Sequence, residues 1–191
     1  MKKKSLVLTM ASVAAIAAIG VGATFAYFTD SKETSNPFTL GDIEIELTEP
    51  NWDEANGVNI LPMQTVEKDP TVTNTGDNDA YIFVKVTVPT AEVMVEGDET
   101  ASTQELFTLN NVSSNWTLIS SNDSEYVYAY NEAVAPEAST DALFESVTLV
   151  NLVEDDYAEI IESLDIDVQA YGVQTVSFDS AEAAWNATFA N

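Results

Sequence analysis

Short runs in which apolar and polar residues alternate fill much of the sequence after residue 40. In the clearest run, Tyr81–Val88, the side chains of Ile82, Val84, Val86 and Val88 form one apolar set. Comparable runs occur at 42–48, 71–75, 116–119, 126–130, 147–149 and 164–171. Successive side chains of a strand point to opposite faces, so this period indicates strands with one buried face. At least seven such runs, mostly in hairpin-like order, predict an all-β, antiparallel β-sandwich.

Turn residues between neighbouring runs predict two β-hairpins. Thr71–Thr75 and Tyr81–Val88 are separated by Gly76–Asp79, whose composition is typical of turns. Trp116–Ile119 and Tyr126–Tyr130 are separated by a polar segment of serine, asparagine and aspartate. The sequence therefore predicts that each pair of strands is hydrogen-bonded to each other.

Helical signals are few and short. Ser102–Glu105 and Asp179–Glu182 both match the capping box, in which a Glu three residues after the cap helps satisfy free backbone N–H groups. The second box leads into Ala183–Trp185 and predicts a C-terminal helix, and Thr140–Phe144 is a further candidate helical turn. Helices of this length decorate a sandwich and do not form a layer of their own.

The N-terminus has the pattern of a signal peptide. Lys2–Lys4 precede 22 residues without a charge, and the run closes with Ala23–Ala26, which has small residues at the positions that a signal peptidase reads. We expect cleavage between Ala26 and Tyr27; the alternative is a retained transmembrane anchor, since the run is just long enough to span a bilayer. The predicted organisation is a signal peptide at 1–26, an N-terminal arm at 27–38 and one β-sandwich domain at 39–191.

Composition removes most enzyme chemistries and several classes of partner. The 191 residues include 6 lysines, no arginine, 32 acidic residues, no histidine and no cysteine, for a formal charge of −26. Nucleic acid and anionic membranes need clustered basic residues and are therefore excluded as partners. Disulfides, thiol nucleophiles, a Ser-His-Asp triad and His- or Cys-ligated metals are excluded as well. We predict no catalytic residues and no cofactor apart from weakly bound Ca²⁺.

Acidic turns and one aromatic pair are the remaining candidate sites. Calcium prefers oxygen ligands, and the weak candidates are Asp77, Asp79, Asp155 and Asp156. None of them lies in a calcium-loop motif, and the alternative is a set of solvated turns. Tyr81 and Phe83 lie on the face of their strand opposite the valines. They predict a surface aromatic patch, covered by the C-terminal helix, by the arm or by a neighbouring molecule.

Two stretches carry a family resemblance. The junction Gly22–Asp30, followed by Phe38–Ile45, resembles the signal-to-strand junction of the TasA/camelysin family, and Lys68–Val86 is similar to a strand pair of that family. The resemblance implies export through a SipW-type signal peptidase in a Gram-positive bacterium and an extracellular or cell-surface location, with no stable membrane insertion after cleavage. It also implies a jelly-roll-like sandwich that serves as a fibre subunit of the biofilm matrix.

In fibres of this kind, the N-terminal arm of one subunit completes a sheet of the next. The resemblance thus implies an assembly partner that is another copy or a paralogous subunit, with Tyr27, Phe28 and Phe38 as anchor residues of the arm. The alternatives are a locally packed terminus and a non-assembling binding or adhesion module. Camelysin has also been classed as a surface metallopeptidase, but catalytic zinc takes histidine or cysteine ligands, and this chain offers only oxygen. We therefore expect no enzyme.

Overall fold

The structure is a computed structural model that describes residues 43–153 and 164–190. All of these residues belong to one compact unit, Gly41–Asn191. Within the described range the strands are β1 (Ile45–Thr48), β2 (Thr65–Glu67), β3 (Thr71–Asn74), β4 (Ala80–Thr87), β5 (Thr90–Val93), β6 (Ser102–Glu105), β7 (Phe107–Asn110), β8 (Trp116–Asn122), β9 (Glu125–Tyr130), β10 (Ser146–Leu149) and β11 (Asp167–Gln174). A 3-10 helix spans Glu54–Gly57, and one α-helix, α1, spans Ala181–Thr188.

Four strands form the larger layer, in the order β11-β4-β9-β8 with antiparallel pairing throughout. Smaller antiparallel sheets, β2-β10-β7, β1-β3 and β5-β6, make up the rest. An isolated bridge between Thr73 and Ser139 adds the chain before β10 to the free side of β3. This arrangement is the predicted antiparallel β-sandwich.

The core lies on the inner face of β4, as the alternation predicted. Ile82, Val84 and Val86 are fully buried and pack with residues of the smaller sheets such as Val72 and Val147. The two layers also meet at Gly172 in β11. A Cβ atom at Gly172 would lie 2.8 Å from Ile43 Cγ2 and 3.1 Å from Ile45 Cγ2, so only glycine fits beneath β1.

The predicted hairpin of Thr71–Thr75 with Tyr81–Val88 is wrong. In the structure β3 pairs with β1, whereas β4 pairs with β9 and β11. The buried amide of Asn74 explains the difference: its Nδ2 donates to the carbonyls of Asn78 and Val134, and its Oδ1 accepts from the Gly76 N–H. These bonds direct the chain out of one sheet and into the other, so the turn residues connect layers.

The second predicted hairpin is confirmed as β8-β9, although its turn is tighter than expected. Only Asp123 and Ser124 separate the strands, with Asp123 in the left-handed region at φ 49°. The residues from Ser120 onward continue β8, after a bulge at Ile119.

Two of the predicted helical segments are not helical. Ser102–Glu105 is β6, because pairing with β5 outweighs the local capping signal. Thr140–Phe144 runs beside β3, where the Thr140 N–H donates to Val72 O and the Leu143 N–H donates to Pro70 O. The C-terminal helix is confirmed as α1.

Details at the C-terminus also differ. The cap of α1 is Ser180 rather than Asp179, and its hydroxyl accepts from the Ala183 N–H at 3.2 Å. The predicted strand at 164–171 begins later and spans Asp167–Gln174. Among the described residues, no helix is long and apolar enough to cross a membrane.

Candidate functional site

Several residues that the sequence predicts to be functional lie outside the described residues. This holds for the cleavage position at Ala26 and Tyr27 and for the arm with Phe28 and Phe38. The calcium candidates Asp155 and Asp156 lie outside them too. These assignments stay predictions.

The two remaining calcium candidates lie in the connection between β3 and β4. Asp77 and Asp79 are both exposed there. In the ranges 43–153 and 164–190 no group of three or more acidic side chains is placed to hold a metal ion. Asp77 and Asp79 are thus the two described carboxylates at this connection that could bind calcium. Calcium binding here stays a prediction.

The aromatic pair on β4 lies under the C-terminal helix, one of the three covers expected for it. Phe83 is fully buried, and its ring centroid lies 5.2 Å from that of Trp185 in α1. Tyr81 is half-buried, and its hydroxyl donates to Phe178 O at 3.4 Å. Rings of Tyr171 and Phe189 also contact Trp185, so the chain's own helix covers this face.

The outer strands of the larger layer have backbone edges without a described partner. β8 and β11 stand at the two ends of the four-stranded sheet and, among the described residues, each pairs on one side only. β8 is seven residues long, and most of its side chains are exposed, including Leu118 at 48 %. An uncovered edge of this length can accept another strand, although the bulge at Ile119 interrupts its regular spacing.

A cavity of about 260 Å³ opens where β2, β7 and β10 face the segment that leads into β11. Val66, Phe107 and Val147 form its buried wall. The opposite side is formed by Leu164 and Ile166. These side chains come from distant parts of the chain, and the sandwich brings them together.

Trp52 lines the same cavity and is held from two directions. A Cβ atom at Gly57 would lie 2.9 Å from Trp52 Cη2, so the 3-10 helix contacts the indole through a glycine. Lys68 Nζ lies 5.0 Å from the indole centroid, a cation–π distance. The ammonium group also donates to both carboxylate oxygens of Glu49, at 2.7 and 2.9 Å.

A buried carboxylate fixes the loop that carries Trp52. Asp69 is 7 % exposed, and it accepts from the Asn51 N–H and from Asn51 Nδ2, each at 2.9 Å. A buried carboxylate with two such bonds is satisfied and rigid. The Trp52 side of the cavity is therefore preformed.

A hydrogen bond between Tyr126 and Glu105 links β9 to β6. The Tyr126 hydroxyl donates to the Glu105 carboxylate, and this bond, together with burial, raises the pKa of Tyr126 to about 12. Burial also raises the pKa of the neighbouring Tyr128. A phenol held protonated against a carboxylate stabilises the contact between strands, and it is not an acid–base catalyst near neutral pH.

The described unit is thus an acidic, all-β sandwich with open sheet edges and a preformed cavity beside Trp52. The chain belongs to the camelysin metallo-endopeptidase family, whose model matches residues 1–166. The match extends through β10 and ends before β11 and α1. No curated protein and no solved structure matches the chain.

The family description implies a catalytic metal, and the donor set of this chain does not fit a zinc peptidase. Such sites use histidine or cysteine ligands, with carboxylates in a supporting number. The sequence contains neither histidine nor cysteine. The described carboxylates form no cluster of three or more that could hold a metal ion.

Proposed function

We propose that this chain, after removal of residues 1–26, is an extracellular structural subunit that assembles into fibres. The observation that carries the proposal is the open edge of β8, seven residues long and paired on one side only among the described residues. An exposed edge is a template for another strand. The wholly oxygen-based donor set supports a structural role over the peptidase role that the family description names.

The proposed partner is a second copy or a paralogous subunit, and the proposed connector is the arm at 27–38. An extended arm adds main-chain hydrogen bonds to a sheet edge, while alternate side chains such as Tyr27 or Phe28 enter pockets. Phe38 is the third proposed anchor residue of the arm. Since the arm and the edge are different surfaces, the contact is heterologous, and repetition gives an open filament.

The proposed location is outside a Gram-positive cell, secreted or attached to its surface. The basic head, the uncharged run and the small residues before Tyr27 support export through a SipW-type peptidase. Weak binding of Ca²⁺ at acidic turns fits this location, where loose sites can fill at millimolar concentrations.

Size-exclusion chromatography followed by negative-stain electron microscopy of residues 27–191 tests the assembly proposal. We expect material that elutes ahead of the monomer and appears as filaments. A protein that stays monomeric at all salt and calcium concentrations would instead be a non-assembling binding or adhesion module.

A casein-hydrolysis assay with and without a chelator tests the peptidase reading of the family name. We expect no chelator-sensitive hydrolysis. Turnover by the purified chain that a single carboxylate substitution abolishes would contradict the structural role.

A further inference from the structure

The cavity beside Trp52 has the size and wall chemistry of a small-molecule site. An apolar cavity of about 150 Å³ is enough to hold benzene, and this one measures about 260 Å³. Three of its wall residues, Val66, Phe107 and Val147, are buried at 3 to 6 % exposure. A ligand with one aromatic ring therefore fits and leaves room for a substituent.

The charges around the cavity favour a cation. Glu54 and Asp165 line it together with Lys68, and the ammonium group of Lys68 already binds Glu49 at 2.7 Å. The three carboxylates and one ammonium group sum to −2. The surrounding chain adds to this sign, with 32 acidic residues against 6 lysines. An anionic ligand is repelled by this field, and a cation is steered toward it.

The indole of Trp52 provides a second attraction for positive charge. Aromatic faces attract ammonium groups, and tryptophan does so most strongly. Lys68 Nζ, 5.0 Å from the indole centroid, already makes this contact, so the ammonium group of a ligand has to lie beside Lys68 or take its place on the ring. Because Gly57 and Asp69 hold the loop in place, the ring does not have to reorganise when a ligand binds.

We propose that this cavity binds a small organic cation with an apolar body. The apolar body packs against Val66, Phe107 and Val147, and the ammonium group lies near Glu54 and the ring of Trp52. This site is separate from fibre assembly and does not depend on it. The exported form contains all of the compact unit Gly41–Asn191 and is the form to test.

Three probes share a benzyl group and differ in charge: benzyltrimethylammonium, benzyl alcohol and phenylacetate. Binding is followed by calorimetry and by the NMR signal of the Trp52 indole N–H, assigned with Trp52→Phe. We expect benzyltrimethylammonium to bind about tenfold tighter than benzyl alcohol, and phenylacetate not to saturate. Equal affinities for the three probes, or no shift of the Trp52 signal with any of them, would overturn the proposal.

A matched pair of variants assigns the effect to the cavity. Glu54→Gln removes an exposed carboxylate that lines it, and Glu99→Gln removes an exposed carboxylate that does not. We expect Glu54→Gln to weaken binding of benzyltrimethylammonium about three- to tenfold and to leave the affinity for benzyl alcohol unchanged. We expect Glu99→Gln to change neither affinity. If both variants weaken binding of the cation equally, the attraction comes from the net charge of the protein, and the proposed site is contradicted.

Filling the cavity is an independent test. Ile60 is half-buried and lines it, so Ile60→Trp adds volume from the side of the loop. With circular dichroism unchanged, we expect benzyltrimethylammonium and benzyl alcohol both to lose binding. Retained binding in this folded variant would show that the probes bind elsewhere.

Discussion

Gly172 is a single residue on which the contact between the layers depends. Alanine there would place its Cβ atom 2.8 Å from Ile43 Cγ2, closer than side chains pack. We expect Gly172→Ala to lower the free energy of unfolding, measured by urea denaturation, by about 1–3 kcal/mol, because overpacking has a cost of this size. Gln174→Ala, at an exposed position of the same strand, is the control and should change it by less than about 0.5 kcal/mol. Equal values for the two variants would show that β1 does not press on β11.

Tyr126 makes the stability of the fold depend on pH in the alkaline range. Its pKa is raised from 10.0 to about 12, first by the hydrogen bond to Glu105 and then by burial. The stabilisation is complete below pH 10, where the phenol is protonated in both states, and it is lost as pH rises toward 12 because the unfolded chain ionises first. Between pH 9 and 12 the free energy of unfolding should therefore fall, and we expect this fall to be smaller by about 1–2 kcal/mol in Tyr126→Phe.

Urea denaturation at several pH values between 9 and 12 measures this decline. Glu105→Gln should flatten it as well, and Glu99→Gln, at an exposed carboxylate, should not. An unchanged slope in Tyr126→Phe would mean that another group controls alkaline unfolding.

At the scale of elements, α1 is important because it covers the outer face of β4. Trp185 contacts the rings of Phe83, Tyr171 and Phe189 at centroid distances of 5.2, 5.6 and 4.6 Å. An eight-residue helix is not stable by itself, so these contacts hold it in place. Trp185→Ala should lower the free energy of unfolding by about 2–4 kcal/mol and expose Phe83.

Denaturation together with binding of a hydrophobic dye checks this prediction. Asn186→Ala, on an exposed position of the same helix, should leave both signals unchanged. Normal stability and no added dye binding in Trp185→Ala would show that the helix is not needed to cover the sheet.

The same scale shows what sequence can and cannot predict here. The alternation of β4 predicted its buried face correctly, because the period of a strand is a local property. Pairing partners are not local: Asn74 bonds to Val134 from 60 residues away, and no turn signal at Gly76–Asp79 indicates this. The capping box at Ser102–Glu105 failed for the same reason, since β5 offers a full strand partner.

The cavity could not be predicted from the sequence. Its walls join Trp52, Val66, Phe107 and Ile166, which are adjacent only once the layers have packed. Nothing in the sequence indicates the contact between Trp52 and Gly57. By contrast, the absence of histidine and cysteine is a property of composition, and its consequence for metal chemistry could be stated at once.

At the scale of the whole molecule, net charge opposes the proposed association of copies. Without residues 1–26 the chain keeps 3 lysines against 32 acidic residues, a formal charge of −29. Copies with this charge repel one another, and the repulsion is screened over about 8 Å at physiological salt. We expect filaments to grow faster at a pH near 4–5, or with millimolar Ca²⁺, because acid protonates carboxylates and Ca²⁺ binds to them, so that both reduce the negative charge.

Light scattering over time measures this effect, with Na⁺ at matched ionic strength as the control for screening alone. Growth that is unaffected or inhibited by both acid and calcium would show that repulsion does not limit assembly.

The arm is the segment on which the structural account depends most. Removing residues 27–37 takes away the proposed connector and leaves the compact unit Gly41–Asn191 intact. Electron microscopy of this variant beside residues 27–191, with circular dichroism to verify the fold, tests the account directly. We expect filaments from the longer form and folded monomers from the shorter one; filaments from both would contradict assembly through the arm.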